Sequence, residues 1–372
     1  MITTGGTIAS QEGEDGLEPK TTGQQMLDLI PELQDLCEID CVDLLNLDST
    51  NMQPEEWAVM AKAAFEGMKN HDGIVITHGT DTCAYSAAAL DTMLIHPKVP
   101  VVLTGSQLPA GEEDGDAAHN IYDAFLTACG APAGVYLTFD GREIHGLWAT
   151  KIRTMGFDAF VSVNCPYAGK IADGKLMMQE TAKEKTVAAA TVESAVDVRL
   201  DSKVAVFKLI PGFDPVLLET VVDLGYHGVV LEAYGCGGIT NYRRNLLPAI
   251  EKMIHKGMVV AATTQSIFDG CDLSQYEVGV RALKLGVIPA GDLTTEALVV
   301  RTMIALGRWT DKKNIEAFLR GDMSPVDRSI YRIKVCIHSR VAENFPVHTD
   351  RQTRNSAAMD WSGHLVKRVH PE

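Results

Sequence analysis

No apolar run in this chain approaches the roughly 18 residues that a membrane-spanning helix needs, so no such span is expected. None of the eight cysteines lies in a CxxC pair. They are scattered, several inside apolar runs, which in a chain of this length argues for reduced core or surface thiols and against a disulfide scaffold. Cys37 and Cys41 have helical spacing, but no further His or Cys stands at metal-ligand spacing beside them, so no metal site is expected. Positive charge is also scarce: 33 Lys and Arg against 49 Asp and Glu leave a net charge of −16. Nucleic acid and anionic membranes bind through clustered cations, so neither is an expected partner. A small zwitterionic ligand in a locally positive pocket stays compatible with that charge. Both GxGxxG and the GK[ST] of a P-loop are missing, which argues against phosphate cradling. A Gly-rich motif begins at Thr3, which leaves no room ahead of it for a charged and apolar leader, so a cytoplasmic location is expected.

What is present is ordinary globular composition, 46% hydrophobic and 22% charged over 372 residues, enough for about two domains. Short β-branched runs alternate with helical periodicity. Gly73–Ile76, Val99–Leu103 and Gly134–Phe139 read as strands; Pro54–Met68, Asp81–Leu94 and Ala117–Ala128 read as helices. Strand then helix, repeated, predicts an α/β fold with a parallel sheet covered on both faces. The rhythm weakens near 184–203, with Val192–Val198 as a connector or irregular strand, and restarts at Val204 in shorter units. The expected organisation is an N-terminal domain over 1–182, a linker over 183–202 and a second α/β domain over 203–323. The remainder, 324–372, is richer in Lys and Arg than in Asp and Glu and lacks periodicity. It is expected to be a poorly ordered extension.

Five polar turns fall at expected strand ends. Thr3-Thr4-Gly5-Gly6-Thr7-Ile8-Ala9-Ser10 pairs two glycines, which allow a sharp turn and close approach to a ligand, with a hydroxyl directly after them. In open α/β sheets ligands bind at the carboxyl ends of strands. Thr7 is thus a candidate nucleophile, with neighbouring threonines as competing assignments. Ile76-Thr77-His78-Gly79-Thr80-Asp81-Thr82 opens a helix; Thr80 or Asp81 could simply cap it. They could equally offer a hydroxyl that relays a proton and a carboxylate that holds an ammonium group. Asp48-Ser49-Thr50-Asn51-Met52 reads as a turn before a helix with Pro54 in its first turn, and its small donors and acceptors also suit an amino-acid ligand. Lys151, alone in sequence, would ordinarily be a solvated surface group; buried beside Thr80 and Asp81 it could serve as a base. Thr104-Gly105-Ser106-Gln107 closes the set. Each signal is weak alone. Together they place five polar turns along one sheet edge, which is one site.

TTGGTIAS and HGTDT, followed by DSTNMQPEEW, LTGSQLP, ATKIRT, LIPGF and AGDLTTEA in the same order, resemble the signature blocks of the bacterial-type L-asparaginase family. The likeness is greatest to its cytosolic type I branch and archaeal relatives and covers about residues 2–322. It implies a larger N-terminal and a smaller C-terminal α/β domain and hydrolysis of L-asparagine to L-aspartate and ammonia. It implies Thr7 as the nucleophile forming an acyl-enzyme, with Thr80, Asp81 and Lys151 as the supporting catalytic group. Asp48, Ser49, Thr50 and Ser106 fall where the family contacts substrate. The same likeness implies no metal or organic cofactor, and a homodimer or homotetramer in which a neighbouring C-terminal domain helps close each site; Thr240 is a candidate for that contribution.

Three departures stand out. Many family members carry a Tyr in the loop after the first motif, where this chain has Leu17, and its first Tyr is Tyr85. The strand ahead of TTGG is expected to be short, with fewer ladder bonds at about 0.5–1.5 kcal/mol each. The segment beyond Ser324 matches no family block. Two other functions compete: an amidotransferase subunit supplying ammonia for tRNA-linked glutamine, and a non-catalytic amino-acid-binding protein.

Overall fold

The computed structural model describes residues 1–13, 16–179 and 193–321. The first half of the expected linker, including Ala188–Ala190, and the expected extension at 324–372 lie outside the described residues.

The N-terminal half contains β1 (Ile2–Gly5), a hairpin of β2 (Ser10–Gly13) and β3 (Gly16–Pro19), β4 (Val42–Leu47), β5 (Ile74–Thr77), β6 (Leu94–Ile95), β7 (Pro100–Thr104) and β8 (Gly134–Phe139). It continues with β9 (Arg142–His145), β10 (Ala149–Lys151), β11 (Phe160–Ser162), β12 (Gly169–Ala172) and β13 (Lys175–Met178). One eight-stranded sheet has the order β13-β12-β9-β8-β7-β5-β1-β4. The strands from β4 to β8 in that order are parallel; β9, β12 and β13 extend the sheet antiparallel. The sheet is therefore mixed, which the strand–helix rhythm does not reveal. Its two antiparallel corners are Asp140-Gly141 and Asp173-Gly174, with φ of 51° and 68°, and 52° and 66°. These are the two-residue Asp-Gly hairpin turns in which both central residues need positive φ.

Burial on both faces follows from alternation along each parallel strand. Ile74, Ile76, Val101, Leu103, Val135 and Leu137 face one core, filled by α2 (Pro54–Gly67) and α3 (Cys83–Met93). Val75, Val102 and Tyr136 face the opposite core, filled by α1 (Gly23–Asp28) and α4 (Ala117–Gly130). The expected short first strand is four residues long, but it sits inside the sheet. It pairs with β4 through Ile2–Val42 and Thr3–Asp43 and with β5 through Ile2–Ile76 and Thr3–Thr77. Its side chains add bonds from Thr3 Oγ1 to Asp43 Oδ1 at 2.8 Å and from Thr4 Oγ1 to the Thr77 carbonyl at 2.9 Å.

The C-terminal half is a smaller parallel sheet of β15 (Val204–Lys208), β16 (Gly228–Ala233), β17 (Val259–Thr264) and β18 (Ile288–Pro289), in that order; β14 (Ala195–Val196) precedes it and pairs with β6. Its helices include Glu277–Leu285, which the sequence reading did not anticipate. That helix fully buries only Gly279 and Ala282, so its apolar stripe is narrow. Helix Thr295–Arg308 joins the two halves. Ala297, Val300 and Ile304 enter the N-terminal core, while Leu298, Val299 and Ala305 enter the C-terminal one. Alanines 84, 87, 88 and 89 of α3 are all buried beside it, and small side chains permit close helix approach. At its end Arg308 donates to the carbonyls of Thr92 at 3.0 Å and Asp197 at 2.9 Å, tying the connector to both halves. Among the described residues, no helix is long and apolar enough to cross a membrane.

One buried acid makes this packing sensitive to pH. Glu143 on β9 is fully buried and accepts a hydrogen bond from Thr138 Oγ1. Burial, with the nearby Asp123 carboxylate adding to it, pushes its carboxyl from 4.5 up to about 7. A raised carboxyl favours the native state while protonated. That stability is complete below the unfolded value and is lost as pH rises through about 7. Glu143→Gln keeps the neutral shape and should gain up to about 3 kcal/mol over wild type at high pH. Calorimetric melting should show the variant well above wild type at pH 8 and level with it at acid pH; an equal gap at both would exclude Glu143 as the titrating group.

Candidate active site

The site grows from the carboxyl ends of β1, β4, β5 and β7. After β1, Gly5 and Gly6 have φ of 95° and 83°, backbone that side chains with a Cβ avoid. Space forbids a Cβ as well. On Gly5 it would lie 2.5 Å from the Leu47 backbone, and on Gly6 it would lie 2.3 Å from Gly79 Cα. The chains leaving β1 and β5 are thus in backbone contact. The turn is held by Gly6 N–H donating to the Leu47 carbonyl at 2.8 Å and Ser10 Oγ donating to the Gly6 carbonyl at 2.9 Å. Thr7 follows as the first residue of the short 3-10 helix Thr7–Ala9 and is half-buried. Among the described residues nothing hydrogen-bonds its hydroxyl.

After β5, His78 is fully buried, with Nδ1 at 2.7 Å from the Gly79 carbonyl and Nε2 at 2.8 Å from Ser86 Oγ. Burial lowers its imidazole from 6.5 to about 4, so it is neutral at neutral pH and acts as an internal strut. The backbone N–H of His78 donates to the Thr104 carbonyl at 2.8 Å, and a Cβ on Gly105 would lie 2.3 Å from the His78 carbonyl oxygen. With that residue locked, Gly79 and the 3-10 turn Thr80–Thr82 follow in a fixed position before α3.

Lys151, the last residue of β10, reaches this turn from the far side. Its Nζ donates to Thr80 Oγ1 at 2.7 Å and to Asp81 Oδ1 at 2.6 Å. The lysine side chain is only 16% exposed, whereas that of Asp81 is 58% exposed. The half-buried ammonium is therefore paired with a carboxylate that still faces solvent. Thr150, pointing the other way in the strand alternation, donates to Glu296 Oε1 at 2.5 Å and so fastens β10 to helix Thr295–Arg308.

The remaining candidates divide. Ser49 is buried against Gly79, where a Cβ would lie 2.6 Å from Ser49 Oγ, and its carbonyl accepts from Thr82 Oγ1 at 2.8 Å. Asp48 and Thr50 are exposed and engaged with each other: Asp48 Oδ1 accepts from Thr50 N at 2.8 Å and Thr50 Oγ1 at 2.7 Å. Ser106 is fully buried, and its hydroxyl donates to the Leu108 carbonyl within its own turn. The structure therefore gathers Thr7, Ser49, Thr80, Asp81 and Lys151 around the Gly6–Gly79 contact, keeps Asp48 and Thr50 beside them in an internal turn, and directs the Ser106 hydroxyl to its own backbone. Thr240 lies in the C-terminal half, donating weakly to the Tyr242 carbonyl at 3.5 Å. Leu17 is in β3, paired with Glu12.

The sequence includes Gln107 in the fifth polar turn but assigns it no role, and it does not point to the two residues that hold its loop. Asp116 accepts from the backbone N–H of Gln107 at 3.0 Å and of Leu108 at 3.1 Å, and Asn120 Nδ2 donates to the Gly105 carbonyl at 3.0 Å. The available signal was the spacing: polar residues four apart at the start of α4 share one face. Among the described residues, no three His, Cys, Asp or Glu side chains converge in a way that would hold a metal.

Comparison with known proteins bears on this arrangement. Residues 1–184 match the family model described as Asparaginase, N-terminal, and residues 203–319 match the Glutaminase/Asparaginase C-terminal domain. An L-asparaginase of Thermococcus kodakarensis is 38% identical over 325 residues, covering 87% of this chain and 97% of that protein. A glutamyl-tRNA(Gln) amidotransferase component from the same organism is 34% identical, covering 88% of this chain and 77% of its own length. The solved structure of the thermostable L-asparaginase from Thermococcus kodakarensis superposes with a TM-score of 0.80 at 39% identity, covering 86% of this chain and 95% of that one.

The glycine contact can be tested by stability alone. Gly6→Ala adds both backbone strain and overlap with Gly79, and should cost about 2–4 kcal/mol. Gly212 also has positive φ, at 97°, but nothing lies within 4 Å of the Cβ it would gain. Gly212→Ala should therefore cost only about 1 kcal/mol. Urea denaturation of both variants checks this, and equal losses would remove the contact as the reason for glycine at position 6.

Proposed function

The chain belongs to the asparaginase family and is an amidohydrolase, and we propose that it hydrolyses L-asparagine to L-aspartate and ammonia through an acyl-enzyme on Thr7. The observation that carries this reading is the backbone contact of Gly6 with Gly79: the residue after Gly6 is Thr7, with an unengaged hydroxyl, and the residue after Gly79 is Thr80, already bonded to the Lys151 ammonium. Thr7 Oγ attacks the side-chain amide carbon of asparagine, ammonia leaves, and an ester remains. Water held near Thr80 and Lys151 then hydrolyses the ester and releases aspartate. Backbone N–H groups at the opening of the Thr80–Thr82 turn supply donors for the oxyanion, a contribution worth about 2.7–4 kcal/mol per donor in comparable sites.

Asp81 has a second part in this scheme. Its Oδ1 is taken by Lys151, which leaves Oδ2 for the substrate ammonium. Ser49 and the Asp48–Thr50 turn complete the pocket for the α-amino and α-carboxylate groups. The described cysteines are free thiols, which supports a cytoplasmic setting. By likeness to the family we place the chain in a homodimer or homotetramer.

The amidotransferase components of similar sequence support a second reading, ammonia production for tRNA-linked glutamine. The two readings separate in one assay series. Ammonia release should be robust from L-asparagine and independent of tRNA. Thr7→Ala and Thr80→Ala should each lose more than about a hundredfold in kcat/KM. Full activity in Thr7→Ala would overturn the nucleophile assignment, and a glutamine preference that depends on tRNA would favour the second reading.

A further inference from the structure

Thr80 Oγ1 stands between two groups of opposite character. Lys151 Nζ donates to it at 2.7 Å, and it donates to Gln107 Oε1 at 3.2 Å. A hydroxyl has one proton and two acceptor sites. With the lysine occupying one acceptor site and the proton aimed at Gln107, one lone pair remains in a defined direction. The orientation of the Gln107 amide is itself fixed, because its Nε2 donates to the Gly156 carbonyl at 3.0 Å and so turns Oε1 toward Thr80. A flipped amide would set a second donor against Thr80 and lose the Gly156 bond. The main chain beneath is held by the Asp116 carboxylate, which takes the Gln107 N–H with both oxygens at 3.0 Å.

We propose that Gln107 is a positioning residue for the reaction: it holds the Thr80 proton on its Oε1 and so keeps the free lone pair of Thr80 aimed to accept a hydrogen bond from the attacking water, with no proton added to Thr80. This rests on the reading of Thr80 as part of the hydrolytic machinery. Gln107 also ties the Thr80 turn to the 153–158 loop through Gly156.

Two variants of matched length separate this role from packing. Gln107→Met removes the acceptor and the amide donor; Gln107→Glu keeps an oxygen facing Thr80. With L-asparagine as substrate, Gln107→Met should lose about tenfold in kcat, the equivalent of one hydrogen bond, with KM within about twofold of wild type. Its melting temperature should stay close to wild type. Gln107→Glu should return kcat to within about threefold of wild type. A Gln107→Met enzyme with unchanged kcat overturns the proposal, as does a Gln107→Glu enzyme no better than Gln107→Met. Thr80→Ala measured alongside keeps the two levels apart. If Thr80→Ala is active, the reading of Thr80 fails; if Thr80→Ala is inactive while Gln107→Met behaves as wild type, only the role of Gln107 fails.

Discussion

Two stretches of backbone touch where Gly6 meets Gly79, and the rest of the site depends on that contact. Neither chain could approach so closely with a Cβ between them, and the positive φ of Gly5 and Gly6 turns the chain out of the sheet at the same point. Parallel strands all present their carboxyl ends on one side, so adjacent strands such as β1 and β5 naturally end together. The glycines convert that coarse adjacency into backbone contact. The hydroxyl of Thr7 comes from one strand end, and those of Ser49 and Thr80 from its two neighbours.

Electrostatics then fix what these hydroxyls can do. Even a half-buried ammonium is costly without a partner. The Asp81 carboxylate supplies the charge and Thr80 supplies a further acceptor, so Lys151 is held by two short bonds. The struts behind this arrangement are neutral or internally paired: His78 is kept uncharged by burial, Asp116 is satisfied by backbone N–H groups, and Thr150 links the Lys151 strand to a helix of the other half of the chain. Rigid elements therefore reach the site from both halves, which suits chemistry that needs donors and acceptors aligned before the substrate arrives.

How much of this was legible in sequence depends on the range of the interaction. The parallel strands and their helices announce themselves through local periodicity, and the glycine pair and the HGTDT turn flag special backbone. The Asp-Gly corners of the antiparallel extension were equally local signals, yet a strand–helix rhythm hid them. Helix Glu277–Leu285 escaped because its buried stripe is narrow. The partnership of Lys151 with Thr80 and Asp81 spans about seventy residues of chain, as does the contact of Gly6 with Gly79, and no local pattern encodes either; the sequence offered the lysine partnership as one option beside a surface role, family likeness favoured it, and the glycine contact was not foreseen. That likeness also placed Ser106 at the substrate; its hydroxyl donates to the Leu108 carbonyl within the same turn. Gln107, one residue further on, is the member of that turn whose side chain meets Thr80.

The central claim is that two threonines from neighbouring strand ends act on one small amide. A crystal structure of the protein with L-aspartate bound tests it most directly. The account predicts the side-chain carboxyl carbon of aspartate lying between the hydroxyls of Thr7 and Thr80, about 3–3.5 Å from Thr7 Oγ1, with its ammonium group on Asp81. Aspartate bound away from the Gly6–Gly79 contact, or with its side chain turned from both threonines, would contradict it.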